Sequence, residues 1–251
     1  MKEDKILMAF AEDKIAQCEE NYMPARTDFL DMHQRSVIEQ MWKTIKHQCR
    51  LEFFGGFDDA ERTVAYFLPD YASLEDFHEL CIARVKKPSG SRDLSHRDYL
   101  GSLLGMGIKR DKVGDIVVYD DGADIILLED LAEFILLNYD KAGRTSLAVE
   151  ILPLSELKQV ENQFKEITDT LASLRLDNVI SSAFNVSRSK AVEAIKRGLV
   201  FLNNLECNKP DKEVHPGDKL VLRGKGKAYL SEIGGKSRKD RIYVTFKVTV
   251  R

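Results

Sequence analysis

The pattern of apolar and polar positions changes twice along the 251-residue chain. From Met1 to about Arg50 the apolar residues recur at helical spacing. Ile6, Phe10, Ile15 and Cys18 line one face of a predicted helix. Pro24 interrupts it. Beyond, Phe29, Met32, Ser36, Ile38, Met41, Trp42 and Ile45 make a second stripe, and Thr27 or Asp28 is placed to cap its start. The spacing predicts a helical hairpin over residues 1–50, with Trp42 in its core.

From about Leu51 to Leu171 the two periods mix. Leu51-Glu-Phe-Phe before Gly55-Gly56, and Thr63 to Leu68 before Pro69, read as the strands of a hairpin. Leu80 to Val85 is a third strand. Ser95 opens a helix that closes at Gly105 or Gly107, with Asp98 completing an acidic capping box. Asp115–Tyr119 and Ala123–Leu128 flank Asp120-Asp121-Gly122, a strong hairpin signal. A helix over Leu128–Tyr139, a strand over Ser146–Leu152, a short helix over Ser155–Gln159 and an extended stretch over Gln163–Leu171 follow. The order lacks regular βαβ alternation, which predicts an α+β domain over 51–171.

Residues 172–251 read as a small α+β module. Leu176–Phe184 is a short helix. A second opens at Ser187, buries Ala191, Ala194, Ile195 and Leu199, and stops at Gly198. Val200–Leu202 and Lys219–Leu222 are strands, Asn203-Asn204 is a turn, and Ile242, Val244, Phe246, Val248 and Val250 share one face of a final strand.

Charge sharpens this division. Residues 171–251 hold 17 of the 38 Lys and Arg but only 8 of the 41 Asp and Glu, a net of +9; the 21 basic and 33 acidic residues upstream give −12. A basic third on an acidic body points to a polyanion-binding module. No apolar run approaches the roughly 18 residues of a membrane helix, and no leader is evident at the N-terminus, so a cytoplasmic chain without a membrane partner is expected. Cys18, Cys49, Cys81 and Cys207 lie too far apart for a zinc knuckle. Neither metal nor cofactor is expected.

The basic residues of the third region fall into groups. Arg188, Lys190, Lys196 and Arg197 collect on the exposed side of its second helix. Others lie in two glycine-basic loops, Arg223-Gly-Lys225-Gly-Lys227 and Lys236–Arg241. The first loop lacks the spacing of a nucleotide phosphate loop.

Arg175-Leu-Asp177, Ser187-Arg188, Ala191, Ile195, Gly198, Val200, Asn203 and Val214-x-x-Gly217-Asp218 follow the order and spacing of the ribosomal-protein-S-four-type RNA-binding domain. The stretch His96–Asp115 and the string Phe53-Phe-Gly-Gly-Phe57 resemble the bacterial YlmH family over essentially the full length. That resemblance implies an RRM-like middle domain and RNA contacts from Arg175, Asp177, Ser187, Arg188, Lys190, Lys196, Arg197 and Asn203; Arg223, Lys225 and Lys227, in a loop past the usual end of the module, are candidate phosphate contacts by their charge beside glycine. The resemblance also implies binding to ribosomal RNA of the large subunit, and to tRNA, in the rescue of stalled nascent chains, with a genomic link to cell division. Arg175 and Asp177 either touch RNA or pair internally. Asn204 stands where the family has glycine, and asparagine also accepts the required positive φ.

Residues 86–112 hold seven basic and three acidic residues. Arg97, Lys109, Arg110 and Lys112 are either a second RNA patch or the surface of a tightly packed helix and loop. The base-stacking aromatic motif of RRM domains is not evident.

Enzyme readings find little support. A pseudouridine synthase, which often carries the same module, needs a Gly-Arg-Leu-Asp context; here Leu174 precedes Arg175-Leu-Asp177 and Gly143-Arg144-Thr145 lacks the acid. No glycine-rich cofactor loop follows a strand. His96 and Asp98 have no evident nucleophile. A non-catalytic, monomeric RNA-binding protein is expected; the alternatives are an RNA-modifying enzyme such as a pseudouridine synthase and an RNA–protein adaptor linked to division.

Overall fold

A computed structural model describes residues 2–158 and 164–249. The chain forms two compact units, Met1–Val160 and Glu161–Arg251. Gln159, Gln163 and Val250, assigned above to expected elements, lie outside the described residues.

The first unit opens with α1 (Lys2–Asn21), β1 (Ala25–Leu30), α2 (Met32–Trp42), β2 (Arg50–Phe54) and β3 (Thr63–Leu68). The second predicted helix is therefore shorter than its stripe. Phe29 belongs to a strand, and Asp31, rather than Thr27 or Asp28, caps α2 through a reciprocal box with Gln34. Thr27 works elsewhere. The β1–β3 register slips between Arg26 and Phe29, and the Thr27 hydroxyl accepts the Ala65 amide at 3.0 Å, serving a ladder donor that the slip leaves over. On α1 the inward stripe is Ala11, Ile15 and Cys18, while Ile6 and Phe10 are exposed.

The sheet β1-β3-β2 draws strands from both sides of residue 50, so residues 1–50 are not a separate helical region. The central strand β3 is buried throughout, as a strand covered on both faces must be. One face packs on α1 and α2 through Ala11, Ile15, Ile38, Met41, Ala65 and Phe67. The other packs Phe29, Val64, Tyr66 and Leu68 against Leu80, Ile126 and Leu128 of a second sheet.

That second sheet follows α3 (Leu74–Phe77). It comprises β4 (Leu80–Lys86), α4 (His96–Gly105), β5 (Val113–Tyr119), β6 (Gly122–Leu128) and α5 (Ala132–Asn138). A two-stranded ribbon, β7 (Lys141–Ala142) and β8 (Thr145–Ser146), precedes β9 (Ala148–Pro153). Strand order β5-β6-β4-β9, all antiparallel, is that of a split β-α-β-β-α-β fold. One face carries α4 and α5 over a core including Ala83, Val85, Tyr99, Leu103, Ile125 and Leu127. The other carries the first sheet. Gly114 is required at this seam, because a Cβ there would stand 2.7 Å from the Phe29 ring. The last glycine of the His96–Asp115 signature is thus a packing residue.

The second unit begins with β10 (Phe164–Leu171), which pairs along its length with β15 (Ile242–Thr249). The extended stretch expected to close the middle region is therefore an edge strand of the C-terminal sheet. Then come α6 (Leu176–Ala183), α7 (Arg188–Lys196), β11 (Val200–Leu202), β12 (Leu205–Glu206), β13 (Lys219–Leu222) and β14 (Gly226–Lys236). The six strands order as β10-β15-β14-β13-β11-β12. Leu176, Val179, Ile180, Ala191 and Ile195 seal the helices onto Val200, Leu220, Leu230, Val244 and Phe246. β14 replaces the span expected between two glycine-basic loops. Those loops are hairpin turns: Arg223–Lys225 joins β13 to β14, with Gly224 at φ +84°, and residues 237–241 join β14 to β15. Asn203 and Asn204, at φ +52° and +67°, make the β11–β12 turn without glycine.

Candidate nucleic-acid interface

Burial of the apolar stripe of α7 fixes what it shows to solvent. Ala191 and Ile195 face the core, so Arg188, Lys190, Lys196 and Arg197 stand on the open side, all exposed. The Ser187 hydroxyl accepts the Lys190 amide at 3.3 Å and starts the helix, as its position predicts.

One carboxylate organises this side. Asp177, in the first turn of α6, is 2% exposed. Its Oδ2 accepts Arg188 Nε at 3.0 Å and Nη2 at 2.9 Å. Its Oδ1 accepts Arg175 Nε at 3.3 Å and the Asn178 amide at 3.0 Å. Burial pushes the Asp177 pKa up, but the hydrogen bonds from Arg188 and Arg175 outweigh it and hold the carboxyl below its ordinary value. The arginine side chains remain 44% and 59% exposed for Arg175 and Arg188. Of the two roles open to Asp177, the structure therefore has the internal one. It is a bracket beneath two guanidinium groups, whose outer N–H edges remain able to fork onto a phosphate.

The other residues divide. Arg197 makes only a surface pair with Glu193 at 3.3 Å. Asn203 is structural: its amide nitrogen donates to Asp218 at 2.8 Å and its oxygen accepts the Lys219 amide at 2.9 Å. Arg223 and Lys225 are exposed at the β13–β14 turn, and Lys227 lies within β14, partly buried. Arg241, in the second hairpin turn, bonds to the Thr170 hydroxyl at 3.1 Å and to its carbonyl.

The four basic residues of the middle region, Arg97, Lys109, Arg110 and Lys112, differ in what they hold. Arg97 and Lys109 are exposed. Lys112 bridges Asp28 at 2.9 Å and Asp130 at 3.4 Å. Arg110 bonds to the carbonyls of Val113 and Gly114, and burial beside Arg62 pushes its pKa down to about 10. Asp98 is committed to the Ser95 amide and hydroxyl and to Arg92, so it has no free acid–base role beside His96.

Sequence reasoning missed two groups. Asp124 in β6 is fully buried and accepts Arg84 Nε and Nη2, the Tyr119 hydroxyl and the Lys158 amide at 2.8–2.9 Å. Its signal was available: a lone acid inside a strand whose seven residues are otherwise apolar or glycine. Arg62 had no comparable signal, because its contacts lie in other elements.

Comparison with known proteins matches residues 73–156 to the family described as a putative RNA-binding domain in YlmH, and residues 174–220 to the S4 domain. The chain is 36% identical over 230 residues to the "Ribosome-associated protein quality control protein P2" of Bacillus subtilis (strain 168), covering 91% of this chain and 88% of that protein. The solved "Cell division protein ylmH from Streptococcus pneumoniae" aligns with a TM-score of 0.51 and 25% identity, over 62% of this chain and 95% of that one.

Proposed function

Because the chain belongs to the YlmH family of RNA-binding proteins with a C-terminal S4 domain, we propose that it binds ribosomal RNA of the large subunit, together with tRNA, in ribosome-associated quality control of stalled nascent chains. It acts by binding and catalyses no reaction. The observation that carries this reading is the Asp177 bracket: a buried carboxylate orients Arg175 and Arg188 beside the exposed Lys190, Lys196 and Arg197. Fixed guanidinium forks read the shape of structured RNA through its phosphates, and the lysines add salt-sensitive attraction. The Asp of the Arg-Leu-Asp string lies under its two arginines, which supports binding over catalysis.

Sedimentation of the tagged chain from a bacterial lysate, at low and moderate salt with crosslinked RNA sequenced, tests the proposal. Migration with large subunits that is lost as salt rises is expected. Joint replacement of Arg188, Lys190, Lys196 and Arg197 by Ala should lower RNA affinity at least about 100-fold and flatten its salt dependence by roughly four phosphate contacts. Retention unchanged by this variant would overturn the assigned surface. Migration at the top of the gradient without ribosomal RNA crosslinks would overturn the ribosomal role.

A further inference from the structure

The first unit carries a second concentration of cations that the S4 surface does not use. Arg62, Lys109 and Arg110 line a cleft of about 570 Å³ together with Gln34, Gly107 and Asp31. The two guanidinium groups share one acceptor: Arg62 Nε donates to the Val113 carbonyl at 3.1 Å, and Arg110 Nη1 donates to the same oxygen. Arg62 Nη2 adds the Phe29 carbonyl at 2.9 Å. Among the described residues neither arginine sits in an ion pair, and Lys109 contacts no carboxylate.

Acids also face the cleft: Asp31, Asp115 and Asp111 act on Arg62 as opposite charges, and two of them also accept backbone amides. Asp115 accepts the backbone amides of Glu61 at 2.6 Å and Arg62 at 3.1 Å, and Asp31 accepts the amide of Gln34 at 2.9 Å. Asp111, also on the cleft wall, is exposed. Two like charges are thus held against peptide dipoles, at one mouth, and among the described residues the Nε–Nη2 edge of Arg110 makes no hydrogen bond. Burial and then Arg62 disfavour the charged form of Arg110 more than Asp115 favours it, and an anion in the cleft would add to the favourable side.

We propose that this cleft is a phosphate-binding site. Arg110 supplies the forked donor that matches a tetrahedral oxyanion, Arg62 adds its charge and its Nη1, and Lys109 closes the mouth. The phosphate is that of an RNA backbone, an identification that rests on the RNA-binding reading above; a free phosphate is the other source of the same chemistry. The cleft gives the first unit its own grip on RNA, independent of the Asp177 bracket.

The test titrates inorganic phosphate into the intact chain at constant ionic strength, with chloride as the control, and follows the arginine Nε–H resonances by NMR. Saturable shifts of Arg62 and Arg110 with phosphate alone are expected. Arg62 and Arg110 also join the two sheets, so Lys109→Gln, which removes no internal contact, is the reporting variant. It should weaken phosphate at least about threefold and lower the salt slope for purified large-subunit ribosomal RNA by about one. Shifts that do not saturate, that chloride reproduces, or that Lys109→Gln leaves unchanged would overturn the site. A weakened phosphate titration with an unchanged RNA slope would overturn RNA as its source. If the wild-type chain retained no RNA, the proposed function would fall while the phosphate titration still decided the site.

Discussion

Each unit buries one carboxylate against arginine, and the two pairs do opposite things. In the first unit Asp124 and Arg84 are both enclosed, at 0% and 12% side-chain exposure. Their remaining bonds go to Tyr119 and to the backbone of Glu156 and Lys158. The pair is a strut that ties the segment after β9 to the sheet face. In the second unit Asp177 is equally buried, but its arginines reach outward. On the proposed reading, a buried carboxylate serves recognition only when its cationic partner keeps a solvent face. Otherwise the charge is spent inside the fold.

Removing each acid in turn separates the two roles. Asp124→Ala leaves Arg84 without a carboxylate, holding only the Glu156 carbonyl, and strips Tyr119 and the Lys158 amide of an acceptor. A loss of about 3–5 kcal/mol is expected from this, read from the denaturation midpoint, with RNA affinity unchanged at temperatures where the variant is folded. Asp177→Asn keeps the shape and one acceptor. It should cost roughly 1–3 kcal/mol, but it should also lower RNA affinity about tenfold, because Arg175 and Arg188 lose their fixed directions. Equal RNA losses in the two variants would refute the distinction.

Acid sharpens the same contrast. Both carboxyls have folded pKa values below the ordinary 3.8, since donated hydrogen bonds outweigh burial. A depressed folded pKa stabilises above the unfolded value and is lost as pH falls through the folded one. Both contributions should therefore be complete above about pH 4 and disappear below it. In Asp124→Asn and Asp177→Asn the acid limb of a stability–pH curve should be shallower than in the wild type.

What the sequence made legible follows from the range of the interactions involved. The Ser187 cap, the apolar face of α7 and the alternation of Ile242 to Val248 are set within a few residues, and the structure has them. The strand β1 was hidden because Phe29 and Met32 stand three apart, as in a helix. What makes Phe29 a strand residue is its pairing with Val64 and its packing on Gly114, both remote in sequence. β14 was hidden by Gly234-Gly235 and its charges, and it is recruited by β13 and β15. Counting charge found the basic face of α7 but could not tell Lys109, which is open, from Lys112, which bridges Asp28 and Asp130. Sequence gives the sign of a side chain; its partner is a tertiary fact.

Arg197 gives the smallest expected effect and the cleanest control on the bracket. Among the described residues its side chain pairs with Glu193 alone, four residues earlier, and both side chains are about two-thirds exposed. Such a pair contributes at most about 0.5 kcal/mol, so Arg197→Ala should leave the denaturation midpoint unchanged within error. If Arg197 touches a phosphate, the same variant should still lower the salt slope of RNA binding by about one, uniformly across RNA sequences. Arg188→Ala removes one phosphate contact too, but it also leaves Asp177 held by Arg175 and the Asn178 amide alone. Its loss of affinity should therefore exceed that of Arg197→Ala, by an amount that shrinks when Asp177→Asn is already present. If the two arginines gave equal losses with no coupling to Asp177, they would act as interchangeable surface charges and the bracket would have no part in recognition.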